Sequence, residues 1–244
     1  MSYLVMGASG GLGRALCYRF AASGLDLVVV STDERDLEAL QSDLKLRYGV
    51  RVHAVPADVT RGEEYRERLR ALAEGAGPLQ GLLFPIGGVL SDDTGGLEPQ
   101  SAEWLVRVNF LSVVDTVATL LPSLTASGAG VVVGFGSVAA ARGRGSNVVY
   151  SASKRALESY FESLRHLCAN GGPMVQLYVA GYLDTSLSSG RTKLLPKASP
   201  ERLAAKVLRN LSRDVGLVYF PWYWRPICLA LRWTPWCLFK SLKF

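Results

Sequence analysis

Tyr150 and Lys154 stand four residues apart in the run YSASK, residues 150–154. On a helix that spacing puts both side chains on one face. A phenol titrates at about 10 in water, too high for easy proton exchange at neutral pH. An ammonium held beside it stabilises the phenolate and lowers that value. The pair is suited to protonate an oxygen that gains negative charge, as a ketone oxygen does when hydride reaches its carbon. A second chemical feature lies near the N-terminus. GASGGLG, residues 7–13, follows the apolar run YLVM and precedes a helical pattern. Glycines there allow a tight turn and let backbone N–H groups approach a pyrophosphate, while the helix N-terminus adds partial positive charge.

The elements that must position these groups alternate along the chain. Strand-like runs are expected at 3–6, 26–30, 51–55, 79–84, 131–135, 174–179 and 216–220. Helical patterns fall between them at 12–23, 33–48, 61–74, 101–127, 150–169 and 199–212, with Ser101 and Glu103 marking the start of the longest. Pro200 opens the last of these at the first helical position, where a missing N–H costs nothing. Strands rich in Val and Leu without polar alternation fit a parallel sheet covered on both faces. The fold class expected is therefore α/β: a single Rossmann-type, doubly wound parallel sheet of about seven strands. Residues 1–219 form the dinucleotide-binding domain. Residues 220–244 form an aromatic, basic extension that packs on the same domain, a subunit or a membrane surface.

The glycine spacing is G-x-x-x-G-x-G, and it resembles that of the short-chain dehydrogenase/reductase family. Further marks follow in order: Asp58-Val59 after the third strand, Asn109 in VNFLSVV, Ser137 thirteen residues before Tyr150, and Tyr150-x-x-x-Lys154. Ala180-Gly181-Tyr182-Leu183-Asp184-Thr185 is similar to the family's P-G-x-x-x-T. The resemblance covers about residues 3 to 185. It implies hydride transfer between a nicotinamide and a ketone or secondary alcohol. Tyr150 would be the general acid/base, Ser137 would hold the carbonyl, and Lys154 would tune the phenol and bind the nicotinamide ribose. Asn109 would support a water path to Lys154. Implied cofactor contacts are Gly7, Ser9, Gly11, Leu12, Gly13, Ser31, Thr32, Asp58, Val59, Gly87 and Thr185, together with Tyr150 and Lys154. Ser31 stands where NAD-preferring members carry an acid, so NADP(H) is expected over NAD(H), with Arg14 or Arg35 near a 2′-phosphate and Asp33 opposing that choice. Three positions depart from the family pattern. Met6 replaces Thr, Pro85-Ile86-Gly87-Gly88 replaces N-N-A-G, and Ala180 replaces Pro; the first two read as a repacked turn.

Substrate walls are expected from 87–98, 138–149 and 182–198, the last a polar lid with Gly190 and the basic residues Arg191, Lys193 and Lys197. RGRGSNVVYSASK, residues 142–154, with the tail, is similar to reductases of decaprenylphosphoryl-ketoribose and their bacterial relatives. That similarity implies a hydrophobic or lipid-linked keto-sugar. Two further readings stay open: a soluble ketone or 3-oxoacyl reductase whose tail is a contact in a homo-oligomer, and a non-catalytic protein that binds NADP(H).

The formal net charge of the 244 residues is +6, and four of those positive charges (Arg225, Arg232, Lys240, Lys243) sit in the tail. Such local basicity does not suggest a nucleic-acid binder. The four cysteines, at 17, 168, 228 and 237, form no CxxC pair and join no His cluster, so reduced thiols, no metal and a cytoplasmic setting are expected. The N-terminus lacks a charged region before its apolar run, against a secretory signal. No uncharged apolar run approaches the ~20 residues of a membrane span. The tail can instead lie peripherally at the inner face of a membrane, where each basic residue is worth about 1 kcal/mol.

Overall fold

Apolar side chains on successive residues of the central strands demand cover on both faces, and the fold supplies it. The computed structural model describes residues 2–75, 78–126, 130–185 and 196–242. Seven strands, β1 (Ser2–Met6), β2 (Asp26–Ser31), β3 (Val52–Pro56), β4 (Leu79–Phe84), β5 (Val131–Ser137), β6 (Met174–Ala180) and β7 (Leu217–Phe220), form one sheet in the order β3-β2-β1-β4-β5-β6-β7. Every pairing is parallel. The strand order reverses between β1 and β4, and a crevice opens at such a switch point beyond the carboxyl ends of the strands.

The helices are α1 (Gly11–Ala21), α2 (Glu34–Tyr48), α3 (Gly62–Gly75), α4 (Pro99–Val106), α5 (Ser112–Ala126), α6 (Val148–Cys168), α7 (Pro200–Arg209), α8 (Trp224–Trp233) and α9 (Trp236–Phe239). Alternation along the strands divides the core in two. Leu4 and Met6 of β1 face Tyr65 of α3, Leu120 of α5 and Phe161 of α6. Val5 faces the other way, with Leu16 and Phe20 of α1, Leu40 of α2 and Val207 of α7. This is the doubly wound arrangement expected.

The longest helical run begins at Pro99, two residues before the Ser101 start read from the sequence. Proline's fixed φ suits the first helical position, and Ser101 lies within the helix. Ser127, the expected end, lies outside the described residues. The run is interrupted by a π-turn at Arg107–Leu111. There the Asn109 amide Nδ2 donates to Leu105 O at 2.9 Å, so a side chain takes the carbonyl four residues back. The stretch Pro99–Ala126 contains an 18-residue window of mean hydropathy 1.5, apolar enough for a membrane span by composition. It packs instead against β4, α3 and α6, and is a core helix.

In place of Thr at position 6, the Met6 sulfur accepts from Tyr65 Oη at 2.8 Å, while Thr116 Oγ1, which donates to Ser112 O at 2.7 Å, lies 3.3 Å from the same sulfur. The apolar exchange therefore keeps a polar contact, moved onto α3 and α5. The tail forms α8 against β7 and the short 3-10 turn Val138–Ala141, with α9 held under Arg142 through Phe239.

Candidate active site

The glycine turn begins where β1 ends. Gly7 has φ +90, a region that disfavours any side chain. A Cβ at Gly7 would also stand 2.9 Å from Ile86 Cα, so the Pro85–Gly88 turn packs directly on the glycine turn. At Gly13 a Cβ would collide with the Gly7 carbonyl, which is why helix and turn can approach so closely. Gly10 caps α1 with no side-chain bond, leaving the helix N–H groups available to an anion. Across the cleft, Thr185 Cγ2 comes within 2.8 Å of where a Gly11 Cβ would be.

At the end of β2, Ser31 Oγ and Ser9 Oγ are 2.5 Å apart. Arg14 pairs with Asp36 and donates from Nε to Ser9 O at 3.2 Å, which sets its guanidinium beside Ser9 but behind the cleft lining. Arg35 is exposed and does not line the cleft. Asp33 caps α2, accepting from Asp36 N at 3.1 Å, and does not line it either. Asp58 Oδ1 accepts from Thr60 N at 2.9 Å and Thr60 Oγ1 at 2.7 Å, a local turn that presents Asp58 and Val59 to the cleft.

The catalytic end is assembled from β4, β5, the π-turn and α6. Lys154 is 5% exposed, and its Nζ donates to Phe135 O at 3.2 Å. Burial pushes its ammonium down from 10.5 to about 8, so it keeps its charge at neutral pH with little margin. Gly87 makes room there: a Cβ would stand 3.2 Å from Asn109 Oδ1 and 3.4 Å from Lys154 Nζ. The fully buried Asn109 pins the next residue, donating from Nδ2 to Gly88 O at 2.9 Å and accepting from Gly88 N at 3.2 Å. Ser137 ends β5 and caps the 138–141 turn by accepting from Ala139 N at 3.2 Å.

One cavity of about 590 Å³ joins both ends. Gly7, Ser9, Gly11, Leu12, Ser31, Thr32, Asp58, Val59, Gly87, Ser137, Tyr150, Lys154 and Thr185 line it. Gly13 and Asn109 stand behind the lining and act on the residues in front of them. Of the expected substrate walls, Gly88, Val89, Val138, Arg144, Tyr182 and Leu183 border the cavity. Gly190, Arg191 and Lys193 lie outside the described residues, and Lys197 pairs with Asp184 at 3.1 Å. The indole of Trp224 packs against Gly181, with its ring edge-on to Tyr182 at 5.6 Å. Its buried N–H finds no acceptor among the described residues, so packing alone holds the ring.

Sequence reasoning missed two residues. Trp104 of α4 lines the cavity and packs on Gly88; a tryptophan on a helix carries no sign of facing a cleft. Asp93 is 1% exposed, and its carboxylate accepts from Val149 N at 2.9 Å and Tyr150 N at 2.8 Å. Its carbonyl accepts from Asn147 N at 2.6 Å, and Asn147 itself adopts φ +65. Asp93 is thus the cap of α6, reached from a distant loop, and it explains why the helix starts at Val148 and not Tyr150. No local pattern announces it. Asp93→Ala is expected to cost about 2 kcal/mol of stability. It should also lower kcat more than it raises KM, because the first turn carrying Tyr150 loses its anchor. Denaturant midpoints and steady-state kinetics check both.

A doubly wound sheet, a glycine turn at its switch point, and a buried lysine one turn from a cleft-lining tyrosine define the class of dinucleotide-dependent α/β oxidoreductases. The family model for short chain dehydrogenases matches residues 2–194, and the chain belongs to that family. It is 31% identical over 242 residues to a hydroxysteroid 11-beta-dehydrogenase 1-like protein of Macaca fascicularis, covering 95% of this chain and 82% of the relative. A very-long-chain 3-oxoacyl-CoA reductase of Podospora anserina is 28% identical over 228 residues, covering 90% of this chain and 67% of the relative. Among solved structures, a short-chain dehydrogenase from Sphingobium yanoikuyae in complex with NADPH superposes with a TM-score of 0.84 at 23% identity, covering 99% and 96% of the two chains.

Proposed function

We propose that this chain transfers hydride between NADP(H) and a ketone or secondary alcohol bearing a bulky apolar substituent. The observation that carries the reading is the single cavity, with the glycine turn, Ser31 and Asp58 at one end and Ser137, Tyr150 and Lys154 at the other. The bound dinucleotide supplies hydride in reduction and accepts it in oxidation. Tyr150 donates its phenolic proton to the carbonyl oxygen as charge develops there. Ser137 holds that oxygen in place. The Lys154 ammonium favours the phenolate left behind and binds the nicotinamide ribose. Asn109, which fixes Gly88 and lies beside Gly87, keeps open the route by which Lys154 exchanges protons with water.

Several observations support NADP(H). No acid stands at Ser31, Asp33 is occupied in capping α2, and Arg14 is bonded to the carbonyl of Ser9, whose hydroxyl meets Ser31. The structural neighbour from Sphingobium holds NADPH. Ser31→Asp is expected to shift the NADPH/NADH ratio of kcat/KM toward NADH by about tenfold or more, since a carboxylate repels a 2′-phosphate and accepts from a 2′-hydroxyl. Initial rates with both cofactors measure it.

The apolar walls Ile86, Val89, Trp104, Val138, Tyr182 and Leu183 support a hydrophobic substrate. The names of the two sequence relatives point the same way, to steroid and long-chain acyl carbonyls. A lipid-linked keto-sugar is the finer form of this reading, with Arg144 at the cavity to meet a polar group. The test is cofactor oxidation against a panel of steroid ketones, long-chain 3-oxoacyl thioesters and polyprenyl-phosphate keto-sugars. Tight NADPH binding without turnover of any of them would leave a non-catalytic binder and sink the enzymatic reading.

A further inference from the structure

The tail's inner side is fixed at several points. Trp224 and Cys228 are buried in the core on the α6 side of the sheet. Arg142, from the turn that follows Ser137, donates to Leu231 O at 2.9 Å and to Thr234 O, and its guanidinium lies 4.1 Å over the Phe239 ring. Arg232 pairs with Glu158 of α6 at 2.5 Å. The orientation of α8 and α9 is therefore set by the body of the protein.

The outer side is exposed, and the ring contacts of Trp222 with Tyr223 and of Trp236 with Phe239 stay within the tail. Trp222 is 75% exposed, Trp233 82% and Trp236 68%. Arg225, Leu229 and Trp233 follow at four-residue spacing along α8, and all three are exposed. Leu238, Lys240 and Leu242, on α9 and beyond it, are exposed as well. Exposed tryptophans at this density are rare on a surface meant for water alone. No Asp or Glu follows Asp214 in the sequence. The acid on the inner side, Glu158, is taken by Arg232 and Arg155.

We infer that this face docks on an anionic lipid bilayer. Indole rings settle at the headgroup level, where their apolar body and polar N–H are both satisfied, and nearby cations meet lipid phosphates. Charge complementarity selects the bilayer over a second copy of the chain. A two-fold contact sets the same patch against itself, so Arg225 and Lys240 would face like charges with no acid in the segment to pair them. Neither helix is long enough to span a bilayer, so the contact is peripheral. The inference concerns binding and is independent of the reaction proposed above.

The test uses the full chain and co-sedimentation with phosphatidylcholine vesicles, with and without phosphatidylglycerol. Wild type is expected to pellet with the anionic vesicles and to be released by salt, with a blue shift of its tryptophan emission. Trp233→Ser/Trp236→Ser and Arg225→Glu/Lys240→Glu should each weaken that binding by at least about tenfold. These side chains are exposed, so thermal midpoints should match wild type. Arg19→Glu/Arg209→Glu makes the same charge change on α1 and α7, on the other side of the sheet, and should bind as wild type does. Equal losses from that control would reduce the effect to overall charge and overturn the inference. Wild type remaining in the supernatant with anionic vesicles would overturn it too. So would a sedimenting dimer that Trp233→Ser/Trp236→Ser dissociates, since a second copy would then own the patch.

Discussion

Tyr150→Phe is expected to lower kcat for ketone reduction by about 10²–10⁴-fold while leaving dinucleotide affinity close to wild type. The substitution removes one oxygen and keeps the ring. The backbone at position 150 is clamped by Asp93, so the first turn of α6 should hold its place. Lys154 Nζ keeps its bond to Phe135 O, and the glycine turn lies at the far end of the cavity. What disappears is the proton delivered to the developing alkoxide. Single-turnover rates separate that loss from product release, and quenching of protein fluorescence by NADPH reports binding. A fall smaller than about tenfold would assign the proton to another group.

Lys154→Met should produce the opposite pair of effects on activity and stability. Activity is expected to fall by about 10²–10³-fold, because nothing then favours the phenolate. Stability of the cofactor-free protein at pH 7 should be equal to or above wild type. The folded value of about 8 lies below the ordinary 10.5. Below about 8 the folded protein therefore carries the full cost of a buried ammonium, about 3 kcal/mol. Between 8 and 10.5 the unfolded chain holds a proton that the folded one has released, so wild-type stability rises with pH across that window. The advantage of the methionine variant should accordingly shrink as pH rises and vanish near 10.5. Urea titrations of both proteins across this range test the sign. A wild type that loses ground to the variant on going to higher pH would contradict the burial argument.

What could be read from the sequence was whatever local chemistry writes into it. β4 begins and ends where its apolar run does, because both of its faces are buried and turn residues bound it. The glycine turn was legible because Gly7 adopts a positive φ and Gly13 leaves no Cβ to strike the Gly7 carbonyl. Tyr150 and Lys154 declare themselves through helical spacing. The misses are contacts between segments far apart in the chain. Asp93 reaches α6 across more than fifty residues, and its neighbours in SDDTGG read as an ordinary turn. The Tyr65–Thr116–Met6 contact joins three elements, none of which is unusual alone. Asn109 was found, but the π-turn it sits in was not, because periodicity does not report a side chain competing for a carbonyl. The tail's aromatic and basic character was plain. Which tryptophan goes inside was not, since that depends on Gly181 leaving space for the indole of Trp224.

That last contact bears on how the molecule comes together during translation. The sheet can grow in the order it is made: β1 pairs with β2, β2 with β3, and each strand from β4 to β7 then adds at one advancing edge. The glycine turn, Tyr150 and Lys154 all emerge from the ribosome before β6 does. Trp224 emerges only after all seven strands, yet its ring backs Gly181 and Tyr182 in the cavity wall. The reactive groups are thus all made well before the residue that backs their cleft, and the docking of α8 supports a wall whose other parts come earlier in the chain.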